Sequence, residues 1–130
     1  MSDRTKQLII FTTADGKISV DTRFEAETAW LSLDQMAALF ERDKSTISRH
    51  IKNVFDEGEL EQSATVANFA TVQTEGSRHV ERQIEFYNLD IIISVGYRVK
   101  SLRGTQFRQW AGKRLGMRLR YASDTSARNQ

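Results

Sequence analysis

The chain has 130 residues, with 19 Lys and Arg, 17 Asp and Glu, two His, and neither Cys nor Pro. At about 100–200 residues per domain, this length predicts one domain with a modest core. The lack of Cys excludes disulfides, thiol nucleophiles and thiolate metal sites. The longest apolar runs, Leu8–Phe11 and Ile91–Ile93, are far shorter than the ~18 residues of a membrane span. We therefore expect a soluble, cytoplasmic protein without a membrane partner.

The net charge of +2 conceals an uneven distribution along the chain. Residues 91–130 contain nine Lys and Arg and one Asp, a net charge of +8, so that residues 1–90 carry −6. A charge asymmetry of this kind indicates a polyanionic partner or a charged tail. A second basic cluster lies inside the acidic part and consists of Arg42, Lys44, Arg49 and Lys52, opposed by Asp43.

The first predicted elements follow a loose N-terminus of residues 1–7. Leu8–Thr13 and Ile18–Phe24 are rich in β-branched and aromatic residues. They flank Asp15-Gly16, which is typical of a type I′ hairpin turn with positive φ at both central residues. Thr28–Leu31 predicts a further short strand. Alternation predicts that Ile18, Val20 and Phe24 face inward and that Ser19, Asp21 and Arg23 face outward.

The segment Leu31–Arg49 fits the helix-turn-helix pattern, in which two short helices are joined by a turn of three or four residues. Ser32 and Gln35 have the spacing of a capping box, which predicts a first helix from about Leu33 to Glu41. Glu41 occupies the turn position where glycine is usual, and a left-handed residue there costs about 1–2 kcal/mol. The alternative interpretation is an ordinary helix pair with a solvated basic face.

The second helix is predicted to begin after the N-cap Asp43 and to end at Gly58. Its apolar stripe is Ile47, Ile51 and Val54. At 100° per residue, the polar and cationic residues fall on a separate arc of roughly 140°. Such a surface is typical of a recognition helix, which enters the major groove of DNA. Its members are Lys44, Ser45, Ser48, Arg49 and Lys52.

We predict that this surface binds double-stranded DNA. Arg49 is the predicted base-reading residue, because a guanidinium pairs bidentately with guanine O6 and N7. Short hydroxyl side chains reach base edges or phosphates, whereas the other cations are predicted to hold phosphates. The first group is Ser45, Thr46 and Ser48, and the second group is Arg42, Lys44 and Lys52.

Residues 64–74 and 78–87 predict a second hairpin about Glu75-Gly76. Its tip is basic, and two interpretations are open. The hairpin is either a wing that contacts DNA phosphates through Arg78 and Arg82, or simply an exposed hairpin.

Two C-terminal helices complete the predicted domain. Asp90 is predicted to cap a helix over Ile91–Lys100, and Gly104 to separate it from another helix at about Gln106–Leu115. The cations of these helices form an edge that is either a second phosphate-contacting surface or ordinary solvated charge. The predicted core residues are Ile91, Ile92, Val95, Val99, Phe107 and Trp110, and the cationic edge is Arg98, Lys100, Arg103 and Arg108.

The predicted fold class is therefore α+β. It comprises an N-terminal β-hairpin, a helix-turn-helix that forms a winged-helix-like unit with the second hairpin, and two C-terminal helices.

Four stretches of the chain resemble the RhuM family of bacterial proteins. They are the helix-turn-helix with Trp30, Phe69–Ser77, Tyr87–Ser101 and Gly104–Ala111. The resemblance covers residues 8–115 and implies a virulence-associated, DNA-binding transcriptional regulator of a mobile element or genomic island. After Leu115 the sequence departs from the family, so we expect a truncated or altered member. Residues 116–130 are then a basic polar tail, predicted to be disordered.

Catalysis is not expected. Ser48 and His50 lie two residues apart on a helix and do not face each other. The sequence has neither metal-ligand spacing nor a glycine-rich phosphate loop, so we expect no enzyme activity, cofactor, metal or small-molecule substrate.

Two other functions stay open. Gly104–Trp110 also resembles part of phage antirepressor domains, which suggests a protein-interaction module. The other interpretation is a truncated remnant without a function. Helix-turn-helix proteins usually bind paired half-sites as dimers, so a homodimer is a further expectation.

Overall fold

Five antiparallel strands form one sheet in the computed structural model, which describes residues 7–116. The two predicted hairpins are parts of this single sheet, because a short strand between them pairs with both. The α+β class is thereby confirmed. The strands are β1 (Gln7–Thr12), β2 (Ser19–Glu25), β3 (Thr28–Ser32), β4 (Val66–Glu75) and β5 (Arg78–Asn88), in the spatial order β1-β2-β3-β5-β4.

The first hairpin lies where it is predicted, but its connection is wider than a two-residue turn. The Thr13 N–H donates to the Ile18 carbonyl at 2.9 Å, which closes a four-residue loop. Gly16 has a φ of 74°, whereas the φ of Asp15 is not positive, so the type I′ prediction is wrong. The Asp15 carboxylate instead organises the loop, accepting from Thr13 Oγ1 at 2.7 Å and from the Lys17 N–H at 3.0 Å.

Residues 7–116 also contain five helices, which are α1 (Leu33–Phe40), α2 (Lys44–Asp56), α3 (Gln62–Thr65), α4 (Leu89–Arg98) and α5 (Leu102–Leu115). Helices α1 and α4 pack on the sheet, and α2 packs mainly on α1 and α4, so α2 is an outer layer. The core between sheet and helices includes Leu31, Met36, Leu39, Phe40, Ile47, Ile91, Ile92, Val95 and Phe107, all fully buried.

The start of α4 corrects one prediction. Asn88, the last residue of β5, is the N-cap, and its side chain accepts a hydrogen bond from the Ile91 N–H at 3.3 Å. Asp90, the predicted cap, already lies in the first helical turn. The helix begins two residues earlier than predicted because the strand itself supplies the capping side chain.

Helix α5 also begins earlier than predicted. Ser101 caps it and accepts from the Arg103 N–H at 3.1 Å, so Gly104 lies inside the helix rather than between two helices. A Cβ atom on Gly96 of α4 would lie 3.3 Å from the Gly104 Cα. The two glycines therefore let α4 and α5 cross closely. Trp110, predicted to be core, is only partly buried, although it packs on Phe11 and on Phe24.

Arg23 is buried, contrary to the outward position predicted by alternation. Its guanidinium carbon lies 4.2 Å from the centroid of the Phe69 ring, and its Nη1 lies 2.8 Å from Glu25 Oε1. The Nε atom is buried without a hydrogen-bond partner. The side chain follows the strand alternation, but β4 and β5 bring Phe69 and Phe86 over this second face of the sheet.

The predicted ends of the domain differ slightly from the structure. Gln7, predicted to be loose, begins β1, and Gly116 is the C-cap of α5, with a φ of 73°. The remaining predictions for the N-terminal segment and the C-terminal tail lie outside the described residues. No helix within residues 7–116 is long and apolar enough to cross a membrane.

Candidate nucleic-acid interface

The connection between α1 and α2 is three residues long and begins in a left-handed conformation. Glu41 has a φ of 56° and a ψ of 50°, and its N–H donates to the Ala37 carbonyl at the end of α1. The predicted capping box at the start of α1 is present between Ser32 and Gln35. Local sequence signals therefore fix both ends of α1 and the direction in which the chain enters α2.

Helix α2 has the predicted cap and the predicted buried stripe. Asp43 Oδ2 accepts from the Ser45 N–H at 3.1 Å and from the Ser45 hydroxyl, and these hydrogen bonds lower the pKa of Asp43. Ile47, Ile51 and Val54 are buried against the core.

A Schellman pattern ends α2 at the predicted glycine. Gly58, with a φ of 75°, donates to the Phe55 carbonyl at 3.0 Å, and Glu59 donates to the Val54 carbonyl at 3.0 Å. This turn also directs the Glu59 side chain toward α4.

The predicted DNA-facing side chains lie together on the exposed side of α2. Lys44 is 3.1 Å from Asp34 of α1, and Lys52 is 2.7 Å from Asp56 one turn along. Exposed pairs of this kind contribute about 0–1 kcal/mol and exchange readily with other anions. Ser48 and Arg49 make no side-chain hydrogen bond or ion pair with any residue that the structure describes. Thr46 is half-buried at the edge of this face.

His50 lies at the border between this face and α4, where positive charges gather. Partial burial lowers the pKa of His50, and the cationic groups of Arg49, Arg98 and Arg42 lower it further. Burial and the three cations therefore both oppose protonation of His50.

Arg42, a predicted phosphate contact, is held by backbone carbonyls. Its Nη1 donates to the Phe40 carbonyl at 3.0 Å and to the Glu41 carbonyl at 3.3 Å, while its Nη2 donates to the Val99 carbonyl at 2.9 Å. These acceptors lie at the C-terminal ends of α1 and α4, where the helix dipoles are negative. Arg42 thus joins two helix ends through both of its terminal nitrogens.

The Arg98 side chain, on the cationic edge, has two acidic partners. Arg98 Nη2 lies 2.7 Å from Glu57 Oε1 and 2.7 Å from Glu59 Oε1. Glu59 Oε2 also accepts from the Ser94 hydroxyl at 2.5 Å. Hydrogen bonds from Arg98 and then from Ser94 lower the pKa of Glu59, and the two carboxylates raise the pKa of Arg98.

The other predicted contacts on this edge differ from one another. Arg103 pairs with Glu41 at 2.7 Å and so ties α5 to the turn before α2. Lys100 has a φ of 55°, and its side chain has no hydrogen bond or ion pair with the described part of the chain. Both residues line an open groove of about 480 Å³ that also contains Arg42 and Glu41.

Near the tip of the second hairpin, Arg82 has an acidic partner and Arg78 does not. Arg82 binds Glu75 bidentately, with both N–O distances at 2.8 Å, and this contact lowers the pKa of Glu75. Arg78 is exposed and has no ion pair among residues 7–116. The tip therefore offers one uncommitted guanidinium.

The structure thus brings the exposed α2 residues together on one face, whereas Arg42 lies in the groove that Lys100 and Arg103 also line. Sequence reasoning missed the carboxylates that form ion pairs with Arg98, Arg103 and Arg82. The acidic run from Asp56 to Glu61 contains both partners of Arg98, but its spacing does not identify the cation that they bind.

Comparison with known proteins supports the family resemblance over part of the chain. Residues 64–121 match the model of the virulence protein RhuM family. This range begins within α3, contains β4, β5, α4 and α5, and extends past Leu115, whereas α1 and α2 precede it. Neither a search of curated proteins nor a search of solved structures gives a match.

Proposed function

We propose that this chain, whose residues 64–121 match the RhuM family, binds double-stranded DNA through the exposed face of α2. The observation that carries the proposal is the state of Ser48 and Arg49. Both are exposed on a helix that is capped at each end and packed along its opposite side, and neither is committed to another described side chain. A rigid element that presents a free guanidinium is what base readout requires.

The neighbouring charges supply the attachment. Lys44 and Lys52 flank Arg49 and have only exposed, exchangeable acidic partners. DNA phosphates could replace Asp34 and Asp56 as the partners of the Lys44 and Lys52 ammonium groups. We assign these two lysines to phosphate contacts that position α2, and Arg49, with Ser45, Thr46 and Ser48 beside it, to sequence preference.

The two-helix unit is interpreted as a helix-turn-helix and the β4–β5 hairpin as its wing. The three-residue connection and the left-handed Glu41 support the first assignment. The exposed Arg78 at the hairpin tip supports the second. A regulatory role in a mobile element or genomic island rests on the RhuM resemblance.

Random-sequence DNA selection with the purified full chain tests binding and sequence preference together. The affinity for the selected duplex is then measured against salt. Two phosphate-directed cations, Lys44 and Lys52, predict a loss of roughly 12-fold between about 50 and 200 mM salt. A folded chain that selects no duplex, or whose affinity is independent of salt, would contradict the proposal.

A protein-interaction module is the second candidate, because two large apolar side chains are exposed around the α4–α5 junction. Tyr97 is 71% exposed and Leu102 is 81% exposed. Pull-down of partners before and after nuclease treatment separates the candidates. A partner retained after nuclease, together with absence of duplex binding, would favour this second function.

A further inference from the structure

Strand β1 is one edge of the sheet and lacks the features that normally block an edge. Proteins protect edge strands with charged residues, proline or bulges. The six residues of β1, Gln7–Thr12, contain no charge, no proline and no glycine. Leu8 and Ile10 are 66% and 60% exposed, on the face turned away from the buried Phe11.

The backbone of β1 directs free hydrogen-bonding groups outward. The Thr13 N–H bonds to the Ile18 carbonyl, and hydrogen-bonded positions alternate along an antiparallel pair. Odd-numbered β1 residues such as Ile9 therefore bond to β2. Leu8, Ile10 and Thr12 direct their N–H and C=O groups to the open edge.

We propose that this edge pairs with β1 of a second copy of the chain, antiparallel, about a two-fold axis at Ile9. Directly opposite residues in a sheet share a face, so the axis must pass through a residue rather than between two. With Ile9 on the axis, Leu8 of each copy lies opposite Ile10 of the other. An axis at Ile10 would instead place Leu8 opposite Thr12.

Charge favours a second copy as the occupant. The paired segment is uncharged, so antiparallel self-pairing opposes no like charges, and each exposed apolar side chain meets another. The interaction uses the same patch on both copies and is therefore closed. Pairing of β1 with the other edge strand, β4, would leave further edges open and would produce polymers.

The dimer places both copies of α2 on one side of a continuous ten-stranded sheet. The two-fold axis of an antiparallel pair is perpendicular to the sheet, so the same face of each copy points the same way. Because α2 is the outer layer on that face, both candidate DNA surfaces face one side. This consequence rests on the proposed function, whereas the pairing itself needs no DNA.

Sedimentation of the full chain without DNA tests the pairing. We expect the wild type to approach twice its monomer mass of 14.9 kDa as concentration rises. Ile10→Pro removes an N–H that points to the open edge, and Ile10→Lys puts a charge opposite Leu8 of the second copy, so both variants are expected to remain monomeric. Val72→Lys is the matched control, because Val72 is 68% exposed on the other edge strand and its substitution leaves the dimer intact.

Circular dichroism and thermal melting verify that the variants fold. The register is tested by cysteine pairs, since the natural chain has no Cys. Oxidation of mixed Leu8→Cys and Ile10→Cys chains should yield the heterodimer in preference to either homodimer.

Several outcomes would overturn the pairing. These are a wild type that is monomeric at all concentrations, a folded Ile10→Pro chain that dimerises normally, loss of the dimer in Val72→Lys, or growth of species beyond the dimer. A dimer without duplex binding would refute the proposed function alone. Duplex binding by a strictly monomeric chain would refute the pairing alone.

Discussion

Arg49 on the exposed face of α2 differs in its contacts from Arg98 and Arg103 on the cationic edge of α4 and α5. On α2, Arg49 has no described partner and the lysines have only exposed ones. On the edge, Arg98 binds two carboxylates and Arg103 binds Glu41. Net charge along the chain would rank the edge first, because residues 91–130 carry +8 and residues 1–90 carry −6.

The difference shows that the existing partners of a cation, rather than its charge, distinguish a ligand-binding surface from a contact that stabilises the fold. An arginine that already donates to carboxylates or carbonyls has fewer N–H groups left for a phosphate, and charge-assisted bonds are about twice as strong as neutral ones. An uncommitted arginine loses only water. The α2 face is therefore the better candidate for DNA, and the edge is the better candidate for stability.

The largest expected effect concerns Arg49. Arg49→Ala should weaken binding of the selected duplex by about 1–3 kcal/mol and relax preference at one base position, since a bidentate base contact is lost. Its melting temperature should stay unchanged, because the side chain has no described partner. Fluorescence anisotropy with the selected and scrambled duplexes measures both quantities.

Lys52→Ala is the matched control for Arg49→Ala on the same face. It should weaken all duplexes alike and reduce the salt slope by about 1, since it removes one phosphate contact. Identical, uniform losses in the two variants would refute the base-reading role of Arg49.

A smaller effect is expected for Arg42, and it concerns stability. Arg42→Ala removes donors to three carbonyls at the ends of α1 and α4 and should lower the free energy of unfolding by about 1–2 kcal/mol. Arg42→Lys keeps the charge but cannot reproduce the planar fork. Urea denaturation should therefore show a loss in both variants.

DNA binding by Arg42→Lys separates the two roles of this residue. If Arg42 only stabilises the fold, the duplex affinity of folded Arg42→Lys protein is nearly the same as that of the wild type. If Arg42→Lys instead has normal stability and reduced duplex affinity, Arg42 contacts DNA as the sequence predicts.

The smallest expected effect is a pH dependence at the Arg98 cluster. The pKa of Glu59 is lowered below its ordinary value of 4.5 in the folded chain, chiefly by the hydrogen bond from Arg98. A lowered folded-state pKa means that the unfolded chain binds the proton first as pH falls. The stabilisation is thus complete above about pH 4.5 and is lost as pH falls through the folded-state pKa.

Urea denaturation at several pH values tests this cluster. Glu59→Gln should be less stable than the wild type near pH 7, and the difference should shrink below about pH 4.5. Glu61→Gln is the control, because the exposed Glu61 side chain makes no cap hydrogen bond. A difference for Glu59→Gln that is independent of pH would show that Arg98 does not act through the charged carboxylate.

Sequence reasoning succeeded for α1 and α2, where the signals are local, although local signals also predicted the wrong turn type at Asp15 and the wrong cap at Asp90. The cap at Asp43, the stripe of Ile47, Ile51 and Val54, and the exposed arc of α2 depend on residues within one or two helical turns. The left-handed turn at Glu41 was predicted for the same reason. Periodicity and capping chemistry act over these distances, so the candidate DNA face could be derived before the fold was known.

Reasoning from local patterns was wrong where a more distant residue decides. The burial of Arg23 depends on Phe69, which reaches it only because β3 joins the two hairpins into one sheet. Gly104 was predicted to break the helix, yet its role is to admit Gly96 of α4. Strand alternation gives the face on which Arg23 lies, but it cannot show that another strand pair covers that face.

The sequence by itself determined a basic, capped amphipathic helix in one α+β domain, and it determined that the net charge of +2 is a difference between acidic and basic parts. Only the tertiary structure decided which cations are free. Val99, which binds Arg42, and the two glutamates that bind Arg98 lie 57, 41 and 39 residues away from these arginines along the chain. Pairing over such separations depends on how the helices pack, because electrostatic attraction acts between neighbours in space rather than in sequence.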